Sequence, residues 1–296
     1  MPETWRDVAG DGGVRLAARA VADAGADAPA LLLHHGLASS QRIWDLMLPR
    51  LARRFRVVTY DARGHGRSAK PSSGYGFDRV VADAAAVSRA ARLDRPVVVG
   101  HSWGAMVALE LAARRPRSVR AVVLVDGGVA PLAASLSWPE ARERLAPPHL
   151  AGMRVEEFRG VIRTLFADAV DVTPDVESIV LSVMRVGADG RIRPRLSRAN
   201  HMRILRAIWE QDPIALHARL RVPALAIVAH DPAGTPDDER DAARRRAVAA
   251  IRRAGAPTRV AWVHGIHDLP LQQPEALAHR IERFARTAVG WDGWAG

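Results

Sequence analysis

The chain has 296 residues, 48% of them hydrophobic and 25% charged, the balance of one large globular domain with an insertion and not of a disordered chain. It has no cysteine, which excludes disulfides, thiolate metal sites and a cysteine nucleophile. Net charge is +11, carried almost wholly by arginine, since Lys70 is the single lysine. The arginines fall in short groups (Arg53, Arg54 and Arg56; Arg114, Arg115 and Arg117; Arg244, Arg245 and Arg246) on or beside expected surface helices, which reads as solvated faces and not as a nucleic-acid recognition element. No apolar run reaches the roughly 18–20 residues of a membrane span, and the first residues lack the basic-then-apolar layout of a signal peptide. A cytoplasmic protein with no membrane partner is expected.

In chain order, Val14–Val21 is a plausible strand, followed by a turn over residues 23–27. Ala30–His34 is a short apolar run that stops at Gly36, as a buried strand would. Trp44, Met47, Leu48 and Leu51 recur at helical spacing. Phe55–Tyr60 is β-rich, Asp78–Ala91 is helical by composition, and Pro96–Gly100 is the clearest buried strand. Ala105–Ala113 reads as helix and Ala121–Val125 as another buried strand. Short all-apolar strands alternating with helices predict an α/β fold with a parallel sheet covered on both faces.

The alternation then breaks. From Gly128 to Asp212 only helical segments are expected: Trp138–Leu145, Val155–Phe166, Val176–Met184 and Ala199–Trp209. It resumes with Pro223–Ala229, a long Arg-rich helix, Arg259–Val263 and a closing amphipathic helix marked by Leu277, Ile281 and Phe284. The expected division is a core over residues 1–128 and 213–296 and a helical cap over 129–212. Such an insertion would cover the carboxyl ends of the strands, where open α/β sheets bind ligands.

Gly100-His101-Ser102-Trp103-Gly104 follows an expected strand and opens an expected helix. That is the setting of a G-x-S-x-G nucleophile elbow, whose tight turn exposes the serine and needs glycines where neighbouring backbone passes close. A serine hydroxyl is a weak nucleophile near neutral pH and needs a base. Of the eleven histidines, His267 lies between the last strand and the last helix and can reach over the top of the sheet; His264 reads as structural. The base needs a carboxylate to orient it. Asp231, at the end of the strand before the Arg-rich helix, is the first choice, and Asp126 is the alternative. Chain order fits both. The backbone N–H groups of Leu37 and Trp103 are the natural oxyanion donors. Adjacent His34 and His35 point in different directions on an extended chain, with no third ligand spaced to help, so no metal is expected.

Four segments together resemble the α/β-hydrolase superfamily, in its capped branch: His35-Gly36-Leu37, residues 60–68 from Tyr60 to Ser68, Gly100–Gly104, and Gly265-Ile266-His267. The resemblance covers nearly the whole chain. It implies a mainly parallel eight-stranded sheet, a Ser–His–acid triad and a helical lid, with Ser102 as nucleophile, His267 as base, and Leu37 and Trp103 as oxyanion donors. The residues around Asp61 read as holding a turn. Serine at the elbow argues against the dehalogenase and epoxide-hydrolase branches, whose covalent ester forms on an aspartate. The path from Asp231 to His267 is longer than the family's usual one, and some capped relatives carry the acid after the sixth strand, where Asp126 lies. Lid residues Leu145, Met153, Phe158, Leu165, Ile179, Met184, Ile204 and Trp209 should mostly form the insertion's own core, with a few lining an apolar pocket. The expected substrate is a small-molecule ester or lactone, medium-sized and largely apolar. No phosphate loop or dinucleotide fingerprint is present, so no cofactor is implied. The rival readings are a C–C bond hydrolase of ring-cleavage products and a triad-bearing ligand receptor with little turnover.

Overall fold

The apolar runs that lack alternation become strands buried on both faces. In the computed structural model, which describes residues 3–230 and 238–290, β3 (Ala30–His34), β5 (Val97–His101) and β6 (Ala121–Val125) are buried at every position. They are central members of an eight-stranded sheet with β1 (Glu3–Ala9), β2 (Arg15–Val21), β4 (Arg56–Tyr60), β9 (Ala224–His230) and β10 (Thr258–His264). The order is β1-β2-β4-β3-β5-β6-β9-β10. β1 and β2 are antiparallel and the remaining strands run parallel from β4 to β10. Leu32 stands beside Val58 on one side and Val98 on the other, and Val98 beside Val122.

Strand alternation sends successive side chains to opposite faces, and the two cores divide accordingly. Leu32, Val98, Val122 and Leu124 pack with helices α2 (Phe77–Ala90) and α3 (Trp103–Arg114). Leu31, Leu33, Val97, Val99, Val123 and Val125 pack against α1 (Leu48–Leu51) and, through Leu277, Ala278 and Ile281, the closing helix over Pro274–Val289.

Between β6 and β9 lie α4 (Trp138–Arg144), α5 (Val155–Phe166), α6 (Pro174–Leu181), α7 (Arg198–Glu210) and α8 (Pro213–Ala218). α9 (Asp238–Arg253), α10 (Leu269–Gln272) and α11 (Pro274–Val289) complete the chain order. The four helices expected in the insertion are present with small shifts at their ends. The expectation of no strand is corrected: β7 (Met184–Val186) and β8 (Ile192–Pro194) pair as a short antiparallel hairpin. Three-residue strands carry too little periodicity to be read from sequence. Phe158, Ile179, Met184 and Ile204 are buried as expected of the insertion's core, whereas Leu165 is 72% exposed.

Two other expectations change. β1 is an addition to the expected strands: Glu3–Ala9 is exposed at every position but Val8, so its sequence has no apolar face, and only its ladder with β2 makes it a strand. The helix expected around Trp44–Leu51 splits into a 3₁₀ turn (Gln41–Trp44) and the four-residue α1, which has Pro49 in its first turn. Proline lacks the N–H that would join the two segments.

The Asp61 segment holds a turn, as read. Its carboxylate accepts from the Gln41 N–H at 2.9 Å and the Arg67 N–H at 2.8 Å. A Cβ on Gly66 would lie 2.1 Å from the Asp61 Cγ, so only glycine lets the turn close over this carboxylate. Arg63 leaves the turn to make a buried ion pair with Asp83 at 2.6 Å. Among the described residues, no helix is long and apolar enough to cross a membrane.

Candidate active site

At the end of β5 the chain must reverse into α3 within one residue, and Ser102 takes that bend with φ 54° and ψ −118°. A non-glycine residue in this region costs on the order of 1–3 kcal/mol and persists only when its surroundings enforce it. Those surroundings are tight. A Cβ on Gly100 would lie 2.0 Å from the Gly104 carbonyl oxygen, and one on Gly104 would lie 2.2 Å from that of His34. The Ser102 N–H is held by the Val125 carbonyl at 2.8 Å, which ties the bend to β6. The glycine spacing seen in the sequence is therefore a steric requirement of the crossing between α3, β3 and β5.

The loop after β10 brings His267 back over the sheet. The Ser102 hydroxyl donates to His267 Nε2 at 2.9 Å. On the other side of the ring, His267 Nδ1–H donates to Asp126 Oδ2 at 2.5 Å. These partners set the neutral tautomer in which Nε2 is free to take a proton. The loop is fixed from two directions: Ile266 N–H donates to Gln272 Oε1 at 2.9 Å, and His101 Nε2–H donates to the His267 carbonyl at 2.9 Å.

The carboxylate at His267 is thus Asp126. Asp231, the first choice from sequence, lies outside the described residues. Asp126 follows β6 directly, with a positive φ of 42°, and its side chain is 2% exposed. Its Oδ1 accepts from the Ala229 N–H at 2.9 Å, and Arg244 Nη2 lies 3.1 and 3.2 Å from its two oxygens. Burial alone would raise the carboxyl's pKa. The His267 hydrogen bond and charge, Arg244 and the Ala229 N–H outweigh it and hold the group at about 2, so it is an anion throughout the neutral range.

Arg244 corrects an expectation. Its triplet reads as a solvated face, yet its side chain is 14% exposed, and it donates to the Ala229 carbonyl at 3.0 Å as well as to Asp126. Nothing in a run of arginines within an Ala/Arg-rich helix distinguishes the inward one. Phase on the helix and the position of Asp126 across a sheet crossover decide it.

Leu37 and Trp103, the expected oxyanion donors, both line the cavity that Ser102 faces. The loop after β3 abuts the nucleophile so closely that a Cβ on Gly36 would lie 3.1 Å from the Ser102 Cβ. Neither the Leu37 nor the Trp103 N–H has a hydrogen-bond partner among the described residues. The Trp103 N–H opens α3, where the helix presents partial positive charge.

Ser102, His267 and Asp126 face a cavity of about 650 Å³. Leu37, Trp103, Met106 and Val228 of the sheet and its helices line one side. Val129, Leu132, Leu136, Arg144, Leu145, His201, Leu205 and Ile208, all between β6 and β9, line the other. The lining is mostly apolar, with polar groups converging near the serine, the usual make-up of a small-molecule site. His201 donates Nε2–H to the Leu145 carbonyl at 3.1 Å, and burial lowers its pKa, so it lines the cavity as a neutral ring.

Beneath the elbow, His34, His35 and His65 pack around Trp103, with ring centroids 5.1, 6.5 and 5.4 Å from the indole. His35 accepts the Ala62 N–H on Nε2 at 3.0 Å and donates Nδ1–H to the Gly36 carbonyl at 2.7 Å. His65 likewise accepts the Ala38 N–H and donates to the Arg63 carbonyl. Burial depresses all three to about 3. In an unfolded chain they would titrate near about 6.5. Below that pH the unfolded state takes up protons that the folded state refuses until about pH 3. Stability is therefore fully present above pH ~6.5 and falls as pH drops, by about 1.4 kcal/mol per pH unit for each histidine. Urea midpoints measured at pH 7.5 and 5.0 should differ steeply; equal midpoints would show that these rings charge freely in the fold.

The comparisons with known proteins agree with this architecture. Residues 29–156 match the family model described as alpha/beta hydrolase fold. The chain is 28% identical over 200 residues to the 2-(acetamidomethylene)succinate hydrolase of Mesorhizobium japonicum, covering 67% of this chain and 69% of that one. It is 26% identical over 269 residues to the putative carbamate hydrolase RutD of Rhizobium rhizogenes, covering 88% and 94%. Among solved structures, E-2-(acetamidomethylene)succinate hydrolase superposes with a TM-score of 0.76 at 23% identity over 96% of this chain and 99% of that one.

Proposed function

We propose that this chain, which belongs to the α/β-hydrolase superfamily, is a serine hydrolase that cleaves a carboxylic ester or lactone through an acyl-enzyme. The observation that carries the reading is the unbroken series of hydrogen bonds from Ser102 through His267 to Asp126 at the wall of a partly open cavity. In this reading Asp126, and not Asp231, is the triad acid.

The steps follow from the geometry. His267 Nε2 removes the hydroxyl proton as Ser102 Oγ attacks the substrate carbonyl carbon. The carbonyl π electrons move onto oxygen, and the Leu37 and Trp103 N–H groups take up that charge. Asp126 stabilises the imidazolium without accepting its proton. His267 then protonates the leaving alkoxide, the C–O bond breaks, and the acyl group remains on Ser102. Water, deprotonated by His267, attacks the acyl carbon, and the acid leaves as Ser102 recovers its proton. General base catalysis contributes roughly 10²–10⁴-fold, and each oxyanion donor about 3–4 kcal/mol of barrier lowering. Residues 129–212 act as the cap: they supply about half of the residues that line the cavity.

The names of the relatives include hydrolases of other bonds, a carbamate among them. The test is therefore a panel of purified substrates: p-nitrophenyl esters of increasing acyl length, a γ- and a δ-lactone, a phenyl carbamate and a vinylogous diketone. Ester or lactone turnover at least tenfold above the carbamate and the diketone is expected, together with stoichiometric labelling of Ser102 by a fluorophosphonate. Labelling with preferred carbamate or diketone turnover would reassign the substrate and keep the nucleophile. Ligand binding with no turnover and no labelling would favour the receptor reading.

A further inference from the structure

We propose, resting on the serine-hydrolase reading above, that the substrate carries a carboxylate on its acyl chain, away from the scissile bond, and that Arg144 receives it. The cavity is lined by two guanidinium groups, Arg144 and Arg244. The charge of Arg244 is met by Asp126 at 3.1 Å. Arg144 makes no hydrogen bond and no ion pair within 4 Å among the described residues.

Glu140 feels the charge of Arg144 but does not pair with it. Glu140 stands one turn before Arg144 on α4, the spacing at which an acidic and a basic side chain stabilise a helix. Two such pairs do form elsewhere, Glu110 with Arg114 and Arg206 with Glu210, each at 2.6 Å. Glu140 instead turns back to the start of α4, where its Oε2 accepts from the Ser137 N–H at 2.8 Å and the Ser137 hydroxyl at 2.6 Å. Arginines nearby on α7 are all engaged: Arg198 by the Pro147 carbonyl, Arg203 by Asn200 and Arg206 by Glu210.

The base of Arg144 is also fixed in place. Trp209 Nε1–H donates to the Leu136 carbonyl at 2.8 Å ahead of α4, and His201 donates to the Leu145 carbonyl at 3.1 Å just after Arg144. An exposed cation therefore stands at the cavity wall that Leu136, Leu205 and Ile208 also line, where an anion reaching the site from solvent meets it. The planar, two-pronged guanidinium matches a carboxylate in shape as well as charge. The chain's net charge of +11 favours the approach of such an anion from solution.

The experiment compares mono-p-nitrophenyl adipate and suberate with p-nitrophenyl hexanoate and octanoate, which match them in length but end in methyl. KM and kcat are measured for the wild type, Arg144→Gln and Arg144→Lys. The wild type should favour the anionic member of each pair. In Arg144→Gln the ratio of anionic to neutral KM should rise about 10-fold, the scale of a charge-assisted hydrogen bond, with Arg144→Lys between the two and added salt narrowing the wild-type preference. An identical ratio in wild type and Arg144→Gln would overturn the assignment. Calorimetric binding of monomethyl adipate and methyl hexanoate to Ser102→Ala reads the same preference without turnover. A carboxylate preference that survives there while no ester is hydrolysed would retain the Arg144 site and reject the esterase reading; turnover of both ester series with no preference would do the reverse.

Discussion

Ser102→Ala should lower ester turnover by about 10⁴-fold or more while leaving the fold intact. The magnitude follows from the concerted use of the group: without Oγ, His267 has no proton to abstract and no acyl-enzyme forms, so only cavity binding and the Leu37 and Trp103 donors remain. The structural cost should be small. Among the described residues the Ser102 hydroxyl bonds only to His267, and alanine tolerates the same enforced bend no worse than serine. KM for a p-nitrophenyl ester, thermal midpoint and far-UV circular dichroism should stay near the wild-type values as kcat collapses. Turnover within tenfold of wild type in a correctly folded Ser102→Ala protein would remove the nucleophile from this account.

Asp126→Asn should cost about 10⁴-fold in kcat, the loss expected when a triad carboxylate is replaced by an amide that favours the wrong imidazole tautomer. The contrast with Asp231→Asn is decisive. Asp126 touches His267 Nδ1 at 2.5 Å, so Asp231→Asn should change kcat less than about threefold. The reverse pattern would transfer the role of acid to Asp231. A second signature separates chemistry from packing. Asp126 also receives the Ala229 N–H and Arg244, so the amide leaves a buried guanidinium without its counter-charge. Asp126→Asn should therefore lose stability as well as activity, on the order of 3–5 kcal/mol for one partner of a buried ion pair. Arg244→Gln should reproduce part of that stability loss, read from urea unfolding, but only a minor share of the loss in kcat.

Much of the site is legible in the chain because its constraints are local. Gly100, Ser102 and Gly104 mark the elbow through sterics that act within five residues, and the unbroken apolar runs at β3, β5 and β6 mark strands buried on both faces. His267 stands out because one loop between the last strand and the last helix can reach the serine. The choice between Asp126 and Asp231 is not local. Both aspartates follow apolar runs in the sequence, and only the tertiary structure, which sets β6 beside β5, shows the Asp126 carboxylate against the imidazole. The same holds for Arg244, whose neighbours in its run are chemically identical to it, and for Arg144, which makes no ion pair within 4 Å among the described residues while Glu140 caps its own helix. β1 shows the complementary case: its polar sequence carries no strand signal, and seven residue pairings with β2 make it one. Residue type and spacing determined which groups could do the chemistry. Which of them meet is a property of long-range crossovers, because hydrogen bonds and charges act over a few ångströms and only tertiary structure brings distant stretches of chain that close.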